Sequence, residues 1–224
     1  MRTNNVRQPI RRLRQGVLAA VAVAVLAGCT ALPSRGTGPA RQTYLLQWPE
    51  GLQVRASGTH RACHTLLVSS PRAASGFAGT GMAYSQTPYR ISYFAYNQWV
   101  DAPGRMLEPL LVQALDRSGL FSAVVPAPAP VAADLRLDTE VLQLTQAFSD
   151  HRSAVHFDLR VRLFELKRGT VLADRLIRAE ERAEAETPGA GAAAANRALR
   201  PLLRAVVETV GAPLAAGRVG CGGG

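Results

Sequence analysis

Apolar residues change their spacing several times along this chain, and each change marks an element. Val17 to Ala27 is an unbroken apolar run. Further on, Tyr44-Leu45-Leu46-Gln47-Trp48 and residues 65–69 are short apolar segments that predict two strands, the first stopped by Pro49. Residues 50–63 and 71–81 read as loops. Residues 82–85 and 89–96, parted by Gln86-Thr87-Pro88, predict a hairpin. Its second strand places Ile91, Tyr93 and Ala95 on one face and Arg90, Ser92 and Phe94 on the other. Asp101-Ala102-Pro103 opens a helix, with an Asp able to cap and a Pro whose missing N–H costs nothing there. Met106, Leu107, Leu110, Leu111, Ala114 and Leu115 form its apolar stripe, and Gly119 suits its end. Pro109 requires either a bend or a start near Leu107. Residues 120–125 then predict a short strand before a Pro-rich connector.

The second half predicts a β-meander. Leu135, Leu137 and Val141 share one parity, while Leu142, Leu144 and Phe148 share the other, so a bulge or sharp twist is expected near Val141-Leu142. Val155, Phe157, Leu159, Val161 and Leu163 alternate with His156, Asp158, Arg160 and Arg162, giving a strand with one buried and one wet face. Lys167-Arg168-Gly169-Thr170 makes the turn. Residues 171–185 return with Ile177 inside and Arg178, Glu180, Arg182 and Glu184 outside. A last helix over residues 191–210 follows from Leu199, Leu202, Leu203, Val206, Val207 and Val210, with a kink expected at Pro201. The fold class is α+β: one domain, a mainly antiparallel sheet with two helices packed on one face.

The opening apolar run changes the picture. Arg2, Arg7, Arg11, Arg12 and Arg14 precede it without an acid, and it is shorter than the ~20 residues a bilayer span needs. Ala27 and Gly28 are small, as a peptidase acting on an extended chain requires. Leu26-Ala27-Gly28-Cys29 resembles the bacterial lipobox. That resemblance implies cleavage between Gly28 and Cys29, then diacylglyceryl and palmitate-type acyl transfer to Cys29. Two or three acyl chains anchor stably where one does not. Thr30, rather than Asp, at the next position implies release to the outer membrane, facing the periplasm. The expected organisation is a removed leader at 1–28, a lipidated tether at 29–42, the domain at 43–216 and a Gly-rich tail at 217–224. The Pro-, Ser- and Gly-containing tether reaches about 40 Å when fully extended.

Removing a leader with five arginines and no acid lowers the formal charge from +10 to +5. The remaining arginines are scattered among acids rather than clustered with aromatics, which excludes a nucleic-acid surface. Cys63 and Cys221 remain as an even pair beside the lipidated Cys29, and they either bridge or stay as thiols. Catalytic motifs are absent. The single lysine, Lys167, removes Walker A and most Ser-Lys schemes, and no nucleophile elbow occurs. Gly76-Phe77-Ala78-Gly79-Thr80-Gly81 precedes a strand and lacks a following Lys-Ser/Thr, so it reads as a loop. His60, Cys63 and His64 are three metal-type ligands within five residues, but no second ligand group has matching spacing. The reading is of a non-enzyme without metal or cofactor.

In order along the chain stand Tyr44-Leu45-Leu46, Met82-Ala83-Tyr84-Ser85, Ile91-Ser92-Tyr93-Phe94-Ala95-Tyr96-Asn97-Gln98-Trp99, Asp101-Ala102-Pro103, Leu115-Asp116-Arg117-Ser118-Gly119-Leu120-Phe121 and Asp134-Leu135-Arg136-Leu137. In this order and spacing, over residues 44–214, the chain resembles the ABC-type transport auxiliary lipoproteins, the PqiC-like family that accompanies MCE-domain lipid transporters. Residues 51–63 and the Gly-rich tail depart from the pattern. The resemblance implies a docking or structural subunit, partnered by an MCE-domain protein and an ABC permease and ATPase, and ring-shaped homo-oligomers. Tyr93, Phe94, Tyr96 and Trp99 concentrate aromatics at the end of a hairpin, a composition favoured at interface cores, and are the candidate partner surface. The alternative is another periplasmic adaptor, such as a cell-wall synthase activator or an outer-membrane assembly factor.

Overall fold

The computed structural model describes residues 39–55, 62–149 and 152–221. The unit that carries the fold begins at Arg41. Nine strands form one sheet: β1 (Gln42–Tyr44), β2 (Thr65–Val68), β3 (Arg72–Ala73), β4 (Gly81–Ser85), β5 (Ser92–Trp99), β6 (Ala123–Pro126), β7 (Leu135–Ser149), β8 (Arg152–Glu165) and β9 (Thr170–Ala183). Among the described residues two α-helices accompany them, α1 (Pro103–Arg117) and α2 (Pro188–Ala215).

The antiparallel part is the long ladder β7–β8–β9 together with the β4–β5 hairpin. The rest of the sheet is parallel, so the whole is mixed. Three short strands lie end to end along the free edge of β7. β2 takes Leu135 to Leu137, β3 takes Glu140 and Val141, and β4 takes Thr145 to Ala147. β6 adds to the far side of β2, and β1 adds to β5, both in parallel. The predicted loop at 71–81 therefore contains one of the strands, β3, followed by a 3-10 turn at Ser75–Phe77.

The alternation in β8 holds along its length, with Val155, Phe157, Leu159, Val161 and Leu163 buried. Leu137 faces Leu163, and Val141 faces Leu159. Leu142 then has no partner, because the register steps from Val141 to Gln143. This is the expected bulge, and it turns Leu144 inward opposite Phe157. The stripes of both helices cover this face. Leu107, Leu111, Leu115, Leu199, Leu202, Leu203 and Val206 are all buried in one cluster with the strands.

Local chemistry explains where the elements depart from expectation. Asp101 does not cap α1; the cap position is Ala102, and it has no side-chain bond. The Asp101 carboxylate instead accepts from the Ala102 N–H at 2.6 Å and grips Arg105. α1 begins at Pro103 and runs through Pro109, so its regular part does not wait for Leu107. Burial of residues on either side of Pro109 offsets the lost backbone bond. Gly119 lies in the left-handed region just beyond α1, as its place at the helix end requires. α2 is longer than the 3.6-residue pattern suggests. Thr187 caps it by accepting from the Ala190 N–H, and Pro188 takes the first position.

β1 ends at Tyr44 rather than spanning 44–48. The backbone beyond it finds its partner on α2: Asn196 accepts from the Gln47 N–H at 2.8 Å and donates to the Leu45 carbonyl at 3.0 Å. A side chain replaces the ladder, so no strand forms there. Residues 50–55 form a loop, as expected, but one that buries Leu52 and Val54. β6 starts at Ala123, three residues later than expected, because Leu120 and Phe121 turn inward and the Ser118 hydroxyl accepts from the Leu120 N–H. Among the described residues no helix is long and apolar enough to cross a membrane.

Candidate functional site

β5 positions the four aromatics expected to form a partner surface, and the sheet sends them in different directions. Trp99 is only 3% exposed and belongs to the core. It lines the same pocket as Met82, Leu144, Val155 and Ala195. Its N–H donates to the Thr80 carbonyl at 2.8 Å. Phe94 is half-buried, with its ring 4.5 Å from Tyr84 and 6.4 Å from Phe148, in a cluster of tilted and edge-on rings. Tyr93 and Tyr96 are each half exposed. The quartet is thus two surface residues and two packing residues, not one patch.

Tyr93 is held in place although it faces solvent. Its hydroxyl donates to the Gly76 carbonyl at 2.8 Å. Its ring lies over Gly81, where an added Cβ would come within 2.8 Å of the ring. Only a glycine on β4 leaves room for this pairing.

Beside Tyr93 lies a set of residues that the hydrophobic pattern does not point to. Tyr89 is fully exposed at the tip of the β4–β5 hairpin, in the left-handed backbone region at φ 65°. That conformation is uncommon for a bulky side chain. Tyr89, Ile91 and Leu142 share a shallow depression of about 370 Å³ with Phe77, Arg90 and Thr145. Ile91 is half exposed, and Leu142 is the residue the bulge leaves over. An aromatic directly after Pro88 in an otherwise polar turn is the one sequence signal that marks Tyr89. The arrangement is an apolar, partly rigid face with a cation, Arg90, at its rim. It offers adhesion to another surface.

The charged face of the meander is built from cross-strand pairs. Arg160 on β8 donates twice to the Asp174 carboxylate on β9, at 2.8 and 2.7 Å, and that hydrogen bonding holds Asp174 below the usual carboxylate range. Asp101 is likewise held low, first by its bond to Arg105. His156 and Asp158 sit on the same strand, paired with Glu180 and Arg178. These are solvated pairs.

Cys63 and Cys221 are bridged, with their Cα atoms 5.7 Å apart. The segment expected to be a Gly-rich tail is therefore pinned at Cys221. The Arg218 guanidinium also donates to the Leu172 carbonyl at 2.8 Å. Of the loop ligands considered from sequence, His64 is buried. His60, the expected lipidation site Cys29 and its neighbour Gly28 lie outside the described residues.

The model for the ABC-type transport auxiliary lipoprotein component matches residues 44–207, from the end of β1 into α2. The chain belongs to this family. The auxiliary lipoprotein is therefore a membrane-anchored envelope protein associated with ABC-type transport. Two solved structures share its fold. One is a protein from Xanthomonas campestris, 19% identical, with a TM-score of 0.67 over 80% of this chain and 97% of that one. The other is an uncharacterized protein, 15% identical, with a TM-score of 0.56 over 75% of this chain and 97% of that one. At these identities they establish the fold alone. A comparison with curated proteins finds no match. The strand-to-helix junction of the auxiliary lipoprotein, Tyr93 to Pro103, lies inside the matched span.

Proposed function

We propose that this auxiliary lipoprotein is a non-catalytic docking subunit of an MCE/ABC-type system that moves lipid between two membranes. Cys29 anchors it in the outer membrane, and the domain faces the periplasm. Its partner is an MCE-domain protein served by an ABC permease and ATPase, and the auxiliary subunit itself assembles as a homo-oligomer. The observation that carries this reading is the set of exposed side chains Tyr89, Ile91 and Tyr93, with Tyr89 and Ile91 sharing a depression with the partly buried Leu142. Aromatic and aliphatic side chains held on a hairpin and rimmed by an arginine have the composition of an interface core. The strained backbone at Tyr89 is the kind of outlier that persists where a surface has a task.

The test is affinity purification of the anchored full chain from detergent-solubilised membranes. The MCE-domain protein and the permease are expected to co-purify with the wild type. A Tyr89→Ser, Ile91→Ser double variant is expected to lose them while keeping the wild-type circular dichroism and melting temperature. Retention of both partners by the folded double variant would move the docking face elsewhere. Co-purification of a cell-wall synthase or an outer-membrane assembly complex, without MCE protein, would replace the transport reading by the adaptor reading.

A further inference from the structure

Where the chain enters β2, three metal-type ligands converge. Cys63 and then His64 immediately precede β2, and Cys221 arrives from beyond the end of α2. The two sulfurs and a ring nitrogen of His64 all lie within 4.8 Å of one another. His64 is 7% exposed. Among the described residues its ring makes no hydrogen bond; the nearest carboxylate oxygen, on Asp134, is 4.0 Å from Nδ1, beyond hydrogen-bond reach. The buried imidazole therefore sits directly against the Cys63–Cys221 sulfurs.

We propose that reduction of the Cys63–Cys221 bridge converts this corner into a three-ligand site for a thiophilic divalent ion of the zinc class. A dithiol reductant supplies two electrons and two protons. The S–S bond breaks, two thiols form, and the reductant becomes a disulfide. The ion then displaces both thiol protons as two metal–sulfur bonds form, and neutral His64 supplies the third bond. Metal–sulfur bonds of about 2.3 Å and metal–nitrogen bonds of about 2.0 Å put tetrahedral ligand atoms roughly 3.3 to 3.8 Å apart. The present cluster is near that spacing, and the sulfurs need only separate. A water or an outside ligand takes the fourth position. Asp134, on the Nδ1 side of the ring, becomes the outer partner that orients His64 when Nε2 binds the metal; its carboxylate is already fixed by the Thr65 N–H at 2.8 Å. Disulfide and metal are then two interchangeable ways of pinning the segment after α2 to the start of β2. The proposal is independent of the transport reading.

The test uses the full chain carrying Cys29→Ser, so that only these two thiols report. After reduction with a phosphine, cobalt(II) is titrated and the thiolate-to-metal absorption in the near ultraviolet is followed, then zinc is added in competition. One cobalt per chain is expected, displaced by one zinc, with no band from the oxidised protein. Asp134→Asn is expected to weaken zinc about tenfold. His64→Ala is expected to weaken it further, and Cys221→Ser to abolish tight binding. Should His64→Ala fail to fold, the Asp134 and Cys221 variants, each checked by circular dichroism, decide the matter. The proposal is overturned if the reduced, folded protein gives no charge-transfer band, if oxidised protein binds equally well, or if folded His64→Ala or Cys221→Ser keeps wild-type affinity.

Discussion

At the scale of single residues, β5 shows how one aromatic-rich strand serves two ends. Trp99 is sealed under the sheet with Met82, Leu144 and Ala195, while Tyr93 and Tyr96 meet solvent. Truncating Trp99 leaves a void that a sheet pinned on both sides cannot close. Trp99→Ala is therefore expected to cost about 3–5 kcal/mol in urea unfolding, with partner binding unchanged per folded molecule. Loss of partner binding without loss of stability would instead make Trp99 an interface residue. The opposite faces of Tyr93 and Phe94 were legible in the sequence, but not the sides taken by Tyr96 and Trp99 further along the strand. The reason is visible at Gly81 and Ala83, where the β4–β5 register shifts and strict alternation stops reporting the face. The exposure of Tyr89 is hidden in the sequence for a different reason. The alternation places it at the start of a strand over 89–96, whereas β5 begins at Ser92 and Tyr89 belongs to the turn before it.

At the scale of elements, local patterns were readable and distant pairings were not. The alternation of β8 and the phase flip in β7 are written in adjacent residues, and both are present in the fold. The joining of β2 to β7 pairs Leu66 with Leu135, far apart in the chain, and the parallel docking of β3 rests on two residues. Segments that short carry no periodicity to read. The bulge makes a sharp prediction. Leu144 is buried and Leu142 is not, whereas unbroken alternation from Leu135, Leu137 and Val141 would put both on the outer face. Leu144→Ala is expected to cost about 2–5 kcal/mol and Leu142→Ala under about 1 kcal/mol, measured by the same denaturation. Equal costs would contradict the bulge. The Arg160–Asp174 pair joins β8 to β9 and holds Asp174 below its ordinary value. Its contribution is complete above the ordinary carboxylate range and is lost as pH falls through the depressed value. Both groups face solvent, so the effect is small. In melting curves taken against pH, the gap between wild type and Asp174→Asn is expected to close in acid. A gap that widened in acid would show that the pair is not what depresses Asp174.

At the scale of the whole molecule, the disulfide closes nearly the entire folded chain on itself. Its cysteines are 158 residues apart, one entering β2 in the middle of the sheet and the other just beyond α2. The packing it encloses does not depend on it. Leu66, Val68 and Phe157 are buried by strand and helix contacts, and the segment leading to Cys221 is also held by Arg218 on the Leu172 carbonyl and by Val219 against the core. Opening the bridge should therefore leave the native structure standing and act mainly on the unfolded chain. A loop of this length restricts that chain by an amount worth about 5 kcal/mol in the chain-entropy account, with measured losses spread over roughly 2–5 kcal/mol. Cys221→Ser is expected to fall in that range. It is also expected to raise the denaturant slope, because an unclosed chain expands further and exposes more surface. Reduced wild type in metal-free buffer should unfold at the same midpoint as Cys221→Ser, since both lack the same constraint. If the variant lost stability while reduced wild type kept it, the Cys221 side chain would be acting by packing, and closure of the chain would not be the source of the stabilisation.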